Sequence, residues 1–173
     1  MGWGLPASIG ACIAHGKKRV ICLAGDGGFQ MTIQELATVM HNRLPIKIFV
    51  YNNDGYLTIK QSQEVGFEGR VMGCNAETGL SFPNFVKVGE AYSIKSVRID
   101  SQMNLREQIQ VILNEDGPVL CELTMDPDQP QIPKAIPRRR ADGTSIQTAL
   151  EDMYPYLDRD ELKENMISEN MED

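Results

Sequence analysis

Apolar and polar positions follow two rhythms along this chain. Arg19-Val20-Ile21-Cys22-Leu23-Ala24 is a short apolar run that stops at Gly25, and Ile46 to Tyr51 is a second, stopping at Asn52-Asn53-Asp54-Gly55. Short continuous apolar runs bounded by glycine or asparagine predict strands buried on both faces. Between them Leu36, Val39, Met40 and Leu44 recur at helical spacing. Thr32-Ile33-Gln34-Glu35 ahead of them has the form of a capping box: a hydroxyl for an early helix amide, and a carboxylate that reaches back. Farther on, the pattern predicts a helix from Phe82 to Ala91, a strand from Ser96 to Ile99, a helix from Leu105 to Leu113 and a last strand from Val119 to Thr124. An opening helix, Pro6 to Ala14, precedes them all. His15-Gly16-Lys17-Lys18 closes it with a glycine and with cations near the negative end of its dipole. His15 and His41 both read as helix-end residues. Strands alternating with helices imply an α/β fold with a parallel sheet between two helical layers, α/β/α.

Two stretches break the alternation. Ser62 to Ser81 contains Gly66, Gly69, Gly73 and Gly79 and is long for a structureless connection, which points to a mobile lid. From residue 127 onward Pro127, Pro130, Pro133 and Pro137 predict an extended arm, with Asp142-Gly143 as a turn. The expected organisation is therefore a domain over residues 1–126 and a Pro-rich arm with an acidic tail over 127–173.

Charge sharpens this division. The net charge of −7 lies entirely in Glu151 to Asp173, which holds nine acids and two bases, so the first 150 residues sum to zero. A balanced domain without a basic face argues against a nucleic-acid partner. Arg138-Arg139-Arg140, flanked by Pro137 and Asp142, reads as a solvated turn or subunit contact. No apolar run reaches membrane-spanning length, because Lys17 to Arg19 and Lys47 interrupt the candidates. The start lacks the basic-then-apolar layout of a signal peptide, and a cytoplasmic location is the expectation. Cys12, Cys22, Cys74 and Cys121 lack metal-ligand spacing, and Cys22 and Cys121, inside apolar runs, read as reduced, buried thiols.

Candidate chemistry concentrates where the two first strands end. Gly25-Asp26-Gly27-Gly28 lies between a strand and a helix, where small residues let backbone amides approach an anion. An aspartate in such a loop repels phosphate unless a cation stands between them. Asp26 therefore implies a metal, and a hard oxygen site implies Mg²⁺. Asn53 follows Asp26 by 27 residues, the length of one helix and one strand. A right-handed crossover brings both to the carboxyl edge of the sheet, where open α/β sheets bind ligands. A Walker loop is excluded because Phe29-Gln30 stands where Lys-Ser/Thr is needed, and the three-glycine dinucleotide fingerprint is not met.

Gly25-Asp26-Gly27 followed at this interval by Asn52-Asn53 resembles the thiamine-diphosphate signature. Gly2-Trp3-Gly4-Leu5-Pro6-Ala7-Ser8-Ile9-Gly10-Ala11, Thr32-Ile33-Gln34-Glu35-Leu36 and Phe82-Pro83-Asn84-Phe85 resemble segments of acetolactate synthases and related 2-oxoacid decarboxylases. The resemblance covers about residues 1–126 and implies the thiamine-diphosphate-binding fold. It implies that Asp26, the Asn53 side chain and the Gly55 carbonyl bind Mg²⁺, and that amides of Gly27 and Gly28 hold the diphosphate. Tyr56, Leu57 and Thr58 would line the cofactor and substrate side. Met1 stands where the family places the side chain beneath the bent cofactor, and is equally an initiator position.

The resemblance further implies an enzyme that decarboxylates or ligates small 2-oxoacids, working as a homo-dimer or homo-tetramer. A pyrimidine-binding domain, of the same or a neighbouring subunit, would carry the glutamate that activates the cofactor. The chain taken alone is expected to be inactive. Ser62 departs from the pattern, since acetolactate synthases usually carry tryptophan there. A simple 2-oxoacid decarboxylase, and an assembly module with a relic cofactor site, remain as alternatives.

Overall fold

The computed structural model describes residues 1–166 other than 141 and 147. It divides into two units, Met1–Asp128 and Gln129–Asp173. In the first, helix α1 (Gly4–Ala14) leads into strand β1 (Val20–Gly25), α2 (Asp26–Gln30), a 3₁₀ turn (Ile33–Glu35) and α3 (Leu36–His41). Then come β2 (Ile46–Asn52), α4 (Leu57–Gly66), a second 3₁₀ turn (Ala76–Thr78) and α5 (Phe85–Ala91). The unit closes with β3 (Lys95–Ile99), α6 (Leu105–Asn114) and β4 (Val119–Thr124). The four strands form one parallel sheet in the order β1-β2-β4-β3.

Strand periodicity splits the core in two. Ile46, Ile48 and Val50 point to one face and pack with Leu5, Ile9, Phe29, Leu36, Val39 and Phe85 from the helices of that side. Phe49, Val119, Cys121 and Ile99 point to the other and meet Ile112 of α6. Gly89 lets α5 sit close on β3, for a Cβ there would lie 2.1 Å from the Ser96 hydroxyl oxygen. Lys47 is buried at the amino rim of the sheet, where its Nζ donates to the carbonyls of Glu115 and Gly117 just beyond α6 (2.5 and 2.6 Å). That contact places a cation at the negative end of the helix.

Two local expectations are corrected. The Thr32–Glu35 capping box does not form: the Thr32 hydroxyl donates to the Gly2 carbonyl (3.3 Å), and the Glu35 carboxylate accepts from Thr38. The helix has already begun at Asp26, directly after the strand, so Thr32 interrupts a helical segment and does not start one. Nor is 62–81 a structureless connection, because Ser62 to Gly66 completes α4. Gly69, Gly73 and Gly79 each adopt positive φ (79°, 63° and 97°), a conformation other residues enter at a steric penalty, so they serve as turn residues. Phe67 and Met72 are exposed, and among the described side chains of this stretch Cys74 is the buried anchor.

In the second unit the predicted Asp142-Gly143 turn joins β5 (Arg138–Arg139) to antiparallel β6 (Ser145–Ile146). Asp158 caps helix α7 (Arg159–Asn165), and Arg159 makes two 2.8 Å bonds to the buried Asp152 carboxylate. Residues 167–173 of the expected acidic tail lie outside the described residues. No described helix is long and apolar enough to cross a membrane. All four cysteines are free and buried.

Candidate functional site

The register of the sheet assembles the site. Gly25, the last residue of β1, pairs with Tyr51 of β2, so the chain leaves both strands at the same rim. Gly25 is extended (φ −74°, ψ 157°), and Asp26 begins α2 immediately after it. The Asp26 side chain is turned inward, and the residue is 3% exposed. Its Oδ1 accepts from the Gly27 amide (2.6 Å), and its Oδ2 accepts from the amides of Asn53 (3.1 Å) and Gly55 (3.2 Å). One carboxylate thus ties the start of α2 to the loop after β2. Burial pushes the Asp26 carboxyl above its ordinary value, the three amides pull it back, and the Asp54 charge adds to the rise. Among the described residues no Lys, Arg or His is ion-paired with it.

The loop from Asn52 to Tyr56 is held from both sides. Asn52 Oδ1 accepts from the Asp54 amide (3.0 Å), an Asx turn that accompanies left-handed backbone at Asp54 (φ 56°). The Asn53 side-chain amide donates to the Gly55 carbonyl (3.2 Å). Gly55 forms an antiparallel bridge with Asn75, and Tyr56 donates its amide to the Cys74 carbonyl (2.8 Å). Only glycine fits at 55, because a Cβ there would lie 2.6 Å from that carbonyl oxygen. The Asn75 and Thr78 side chains cap each other across the 3₁₀ turn and fix the clamp. Sequence reading missed this clamp entirely, since nothing local marks Cys74 or Asn75 as neighbours of Gly55.

The remaining expected residues stand around this centre. The Tyr56 ring covers Gly27, where a Cβ would meet Cε1 at 2.0 Å. The same ring meets Phe82 edge-on (5.8 Å), which continues through Phe85 to Phe29 in the core. The Met1 methyl lies 3.3 Å from the Cβ position of Gly27, with most of Met1 exposed. The Cβ position of Gly28 is 3.8 Å from the Gly2 nitrogen. Leu57 lines a shallow, solvent-open depression with Asn53, Gly55, Lys60 and Cys74. The Gly27 amide, expected to face an anion, is engaged by Asp26 here and reaches an outside anion only by releasing that bond.

A second group at the same rim was not singled out from the sequence. Glu122 of β4 is 2% exposed; its Oε1 accepts from Asn52 Nδ2 (2.7 Å) and its Oε2 from Arg98 Nε and Nη2 (3.2 and 2.9 Å). The available signal was one acidic residue inside the apolar run Val119 to Thr124.

A site of one carboxylate, one amide side chain and backbone groups, beside a helix start, suits an anion carried with its own cation. Residues 1–123 match the family described as thiamine pyrophosphate enzyme, C-terminal TPP binding domain. The acetolactate synthase large subunit of Pyropia yezoensis is 40% identical over 126 residues, which are 72% of this chain and 21% of that protein. The mitochondrial acetolactate synthase of Schizosaccharomyces pombe is 40% identical over 123 residues (71% and 18%). The acetolactate synthase isozyme 1 large subunit of Escherichia coli K12 is 32% identical over 137 residues (79% and 24%). The chain spans about a fifth of the length of these relatives. With its parallel sheet, its Asp26 and its Asn52-Asn53 loop, the chain belongs to the thiamine pyrophosphate enzymes, as their C-terminal TPP-binding domain.

Proposed function

We propose that this chain is the Mg²⁺- and diphosphate-binding part of an acetolactate synthase-like enzyme that decarboxylates and ligates 2-oxoacids. The observation that carries the reading is the buried Asp26 carboxylate, without a side-chain cation among the described residues, meeting the Asn53–Gly55 loop. Ligands on adjacent corners of a Mg²⁺ octahedron, each about 2.1 Å from the metal, stand about 3.0 Å apart. The Asn53 amide and the Gly55 carbonyl oxygen are 3.2 Å apart, which fits that spacing. A half-turn of the Asn53 amide exchanges its nitrogen and oxygen in place and presents Oδ1 beside the Gly55 oxygen.

Asp26, Asn53 and the Gly55 carbonyl would hold the metal, and the first-turn amides at Gly27 and Gly28 would face the diphosphate. A single carboxylate leaves most of the metal's charge for the phosphates, the usual division of labour in Mg²⁺ sites. Tyr56, Leu57 and Met1 would line the approach. Thiamine diphosphate, when bound, supplies the carbon nucleophile and electron sink for the 2-oxoacid; this chain supplies anchoring and orientation. The remaining machinery would come from a pyrimidine-binding domain, in a homo-dimer or homo-tetramer. Ser62 is exposed on α4, with its hydroxyl donated to the Thr58 carbonyl (2.9 Å). This small residue, where acetolactate synthases usually have tryptophan, favours simple decarboxylation as the second reading, and product analysis of the complete enzyme with pyruvate separates the two.

Calorimetric titration of the chain with thiamine diphosphate, with Mg²⁺ and in EDTA, tests the site. Weak binding that requires Mg²⁺ and drops at least about tenfold in Asp26→Asn, ~1.4 kcal/mol, is expected. Equal binding in EDTA, or an undiminished affinity in Asp26→Asn, refutes it. The chain alone should release no CO₂ from pyruvate.

A further inference from the structure

We infer that Glu122 is a positioning residue for the loop after β2, acting through the side-chain amide of Asn52. The inference rests on the reading that this loop carries two of the Mg²⁺ ligands. β4 is an interior strand, between β2 and β3. A carboxylate at 2% exposure there is unfavourable unless its oxygens are matched with donors. Arg98, with 41% of its side chain exposed, satisfies Oε2 alone. The other oxygen, Oε1, takes Asn52 Nδ2 at 2.7 Å.

That second bond has a directional consequence. A carboxylate only accepts, so it selects the amide orientation of Asn52 that turns Nδ2 toward it. Oδ1 then faces the opposite way, toward the Asp54 amide at 3.0 Å. The flipped amide would set Oδ1 against the carboxylate and an NH₂ against the Asp54 N–H, opposing like groups at both ends. Glu122 thereby secures the Asx turn that accompanies the left-handed backbone of Asp54. From that turn Gly55 returns its amide to Asp26 and its carbonyl to Asn53. The Met125 amide, donating to the Asn52 carbonyl (2.8 Å), fastens the root of the loop to the end of β4. The line Arg98–Glu122–Asn52–Asp54–Gly55–Asp26 crosses the carboxyl ends of all four strands. An ion pair kept for stability alone would require a donor to Oε1, but not the Asx turn on the far side of the Asn52 amide.

Glu122→Gln separates the two roles. The charged Arg98 claims the single Gln oxygen, the Gln NH₂ turns to Asn52, and the Asn52 amide flips to meet it. Removing the competitor as well, in Glu122→Gln with Arg98→Leu, returns the Gln oxygen to Asn52 Nδ2, although no ion pair remains. Hydrogen exchange at the Asp54 amide, followed by NMR on the metal-free chain, should accelerate at least about tenfold in Glu122→Gln and recover most of that in the double variant. Titration with thiamine diphosphate and Mg²⁺ should follow the same order, with a tenfold or greater loss and partial recovery. Asp54 exchange that is unchanged in Glu122→Gln, or no slower in the double variant, overturns the inference. A wild-type chain that binds no thiamine diphosphate with Mg²⁺ overturns the link to the metal. That outcome is distinguishable, because the Asp54 exchange still reports whether Glu122 orders the loop.

Discussion

Gly55→Ala should destabilise the metal-free chain by about 2 kcal/mol, for a steric reason that can be followed atom by atom. Its backbone φ is not positive, so alanine is not strained by its own dihedral angles. The obstacle is the Cys74 carbonyl oxygen, 2.6 Å from the new Cβ, with Asn75 Cβ behind it at 3.5 Å. Relief requires the strands of this bridge to part by about 0.8 Å, to reach ordinary carbon–oxygen contact. The Tyr56-to-Cys74 bond, now 2.8 Å, is then stretched past useful length. A neutral bond of that kind contributes about 1 kcal/mol, and weakening the charge-assisted Gly55-to-Asp26 bond costs about 1.5–3 kcal/mol if it breaks outright. Reduced freedom of the unfolded chain returns about 0.4–1 kcal/mol to the variant. In urea unfolding this sum amounts to a midpoint lower by about 1 M at unchanged slope, given slopes of about 1–3 kcal/mol/M. Gly10→Ala is the matched control: it lies exposed within α1 with nothing within 4 Å of its Cβ position, and should stabilise by up to ~1 kcal/mol. A Gly55→Ala midpoint within about 0.2 M of wild type would refute the steric argument.

The buried carboxylate should leave a mark on the pH dependence. A raised folded-state pKa means that folded Asp26 binds more protons than unfolded Asp26, so the metal-free chain loses stability as pH rises from its ordinary 3.8 through the folded value. Urea midpoints in EDTA should show Asp26→Asn gaining on wild type across that window, and a constant difference between the two would count against it. Cys121 is fully buried, and burial, with the Glu122 charge second, pushes its thiol up to about 12. Iodoacetamide at pH 8 should leave it unmodified in the native chain and label it on unfolding, as read by peptide mass spectrometry; rapid native labelling would contradict the burial.

Strand and helix positions were legible because each apolar run ends at residues that break it: β1 at Gly25, β2 at Asn52-Asn53, and β4 within the predicted span. The Asp26–Asn53 interval was legible for the same reason, being the length of one helix and one strand. Thr32–Glu35 misled because the motif is local, whereas the partner that takes the Thr32 hydroxyl, Gly2, lies 30 residues earlier. Over 62–81 glycine content hid the end of α4, since Leu57 to Glu64 is good helix sequence and Gly69, Gly73 and Gly79 form the turns that follow. The Cys74 clamp on Gly55 and the Glu122 contact to Asn52 were not legible at all. The first depends on a bridge between separated loops. The second depends on strand parity, which puts Asn52, Glu122 and Arg98 on one face of three neighbouring strands.

Lys47 gives the amino rim of the sheet a property that the Asp26 corner of the opposite rim lacks. Two carbonyls beyond α6 are neutralised there by a cation that is part of the polypeptide. That charge cannot diffuse away, and dilution, chelators or cofactor depletion leave it in place. At the carboxyl rim, on the reading proposed above, the matching cation for Asp26 is borrowed from solution. One rim is therefore ordered by sequence alone and the other by sequence and the composition of the medium together. Loss of Mg²⁺ should loosen the Asn52–Tyr56 loop while the start of β2, five residues back at Lys47, stays as it was, so that the domain waits folded for its cofactor with only the receiving edge unsettled.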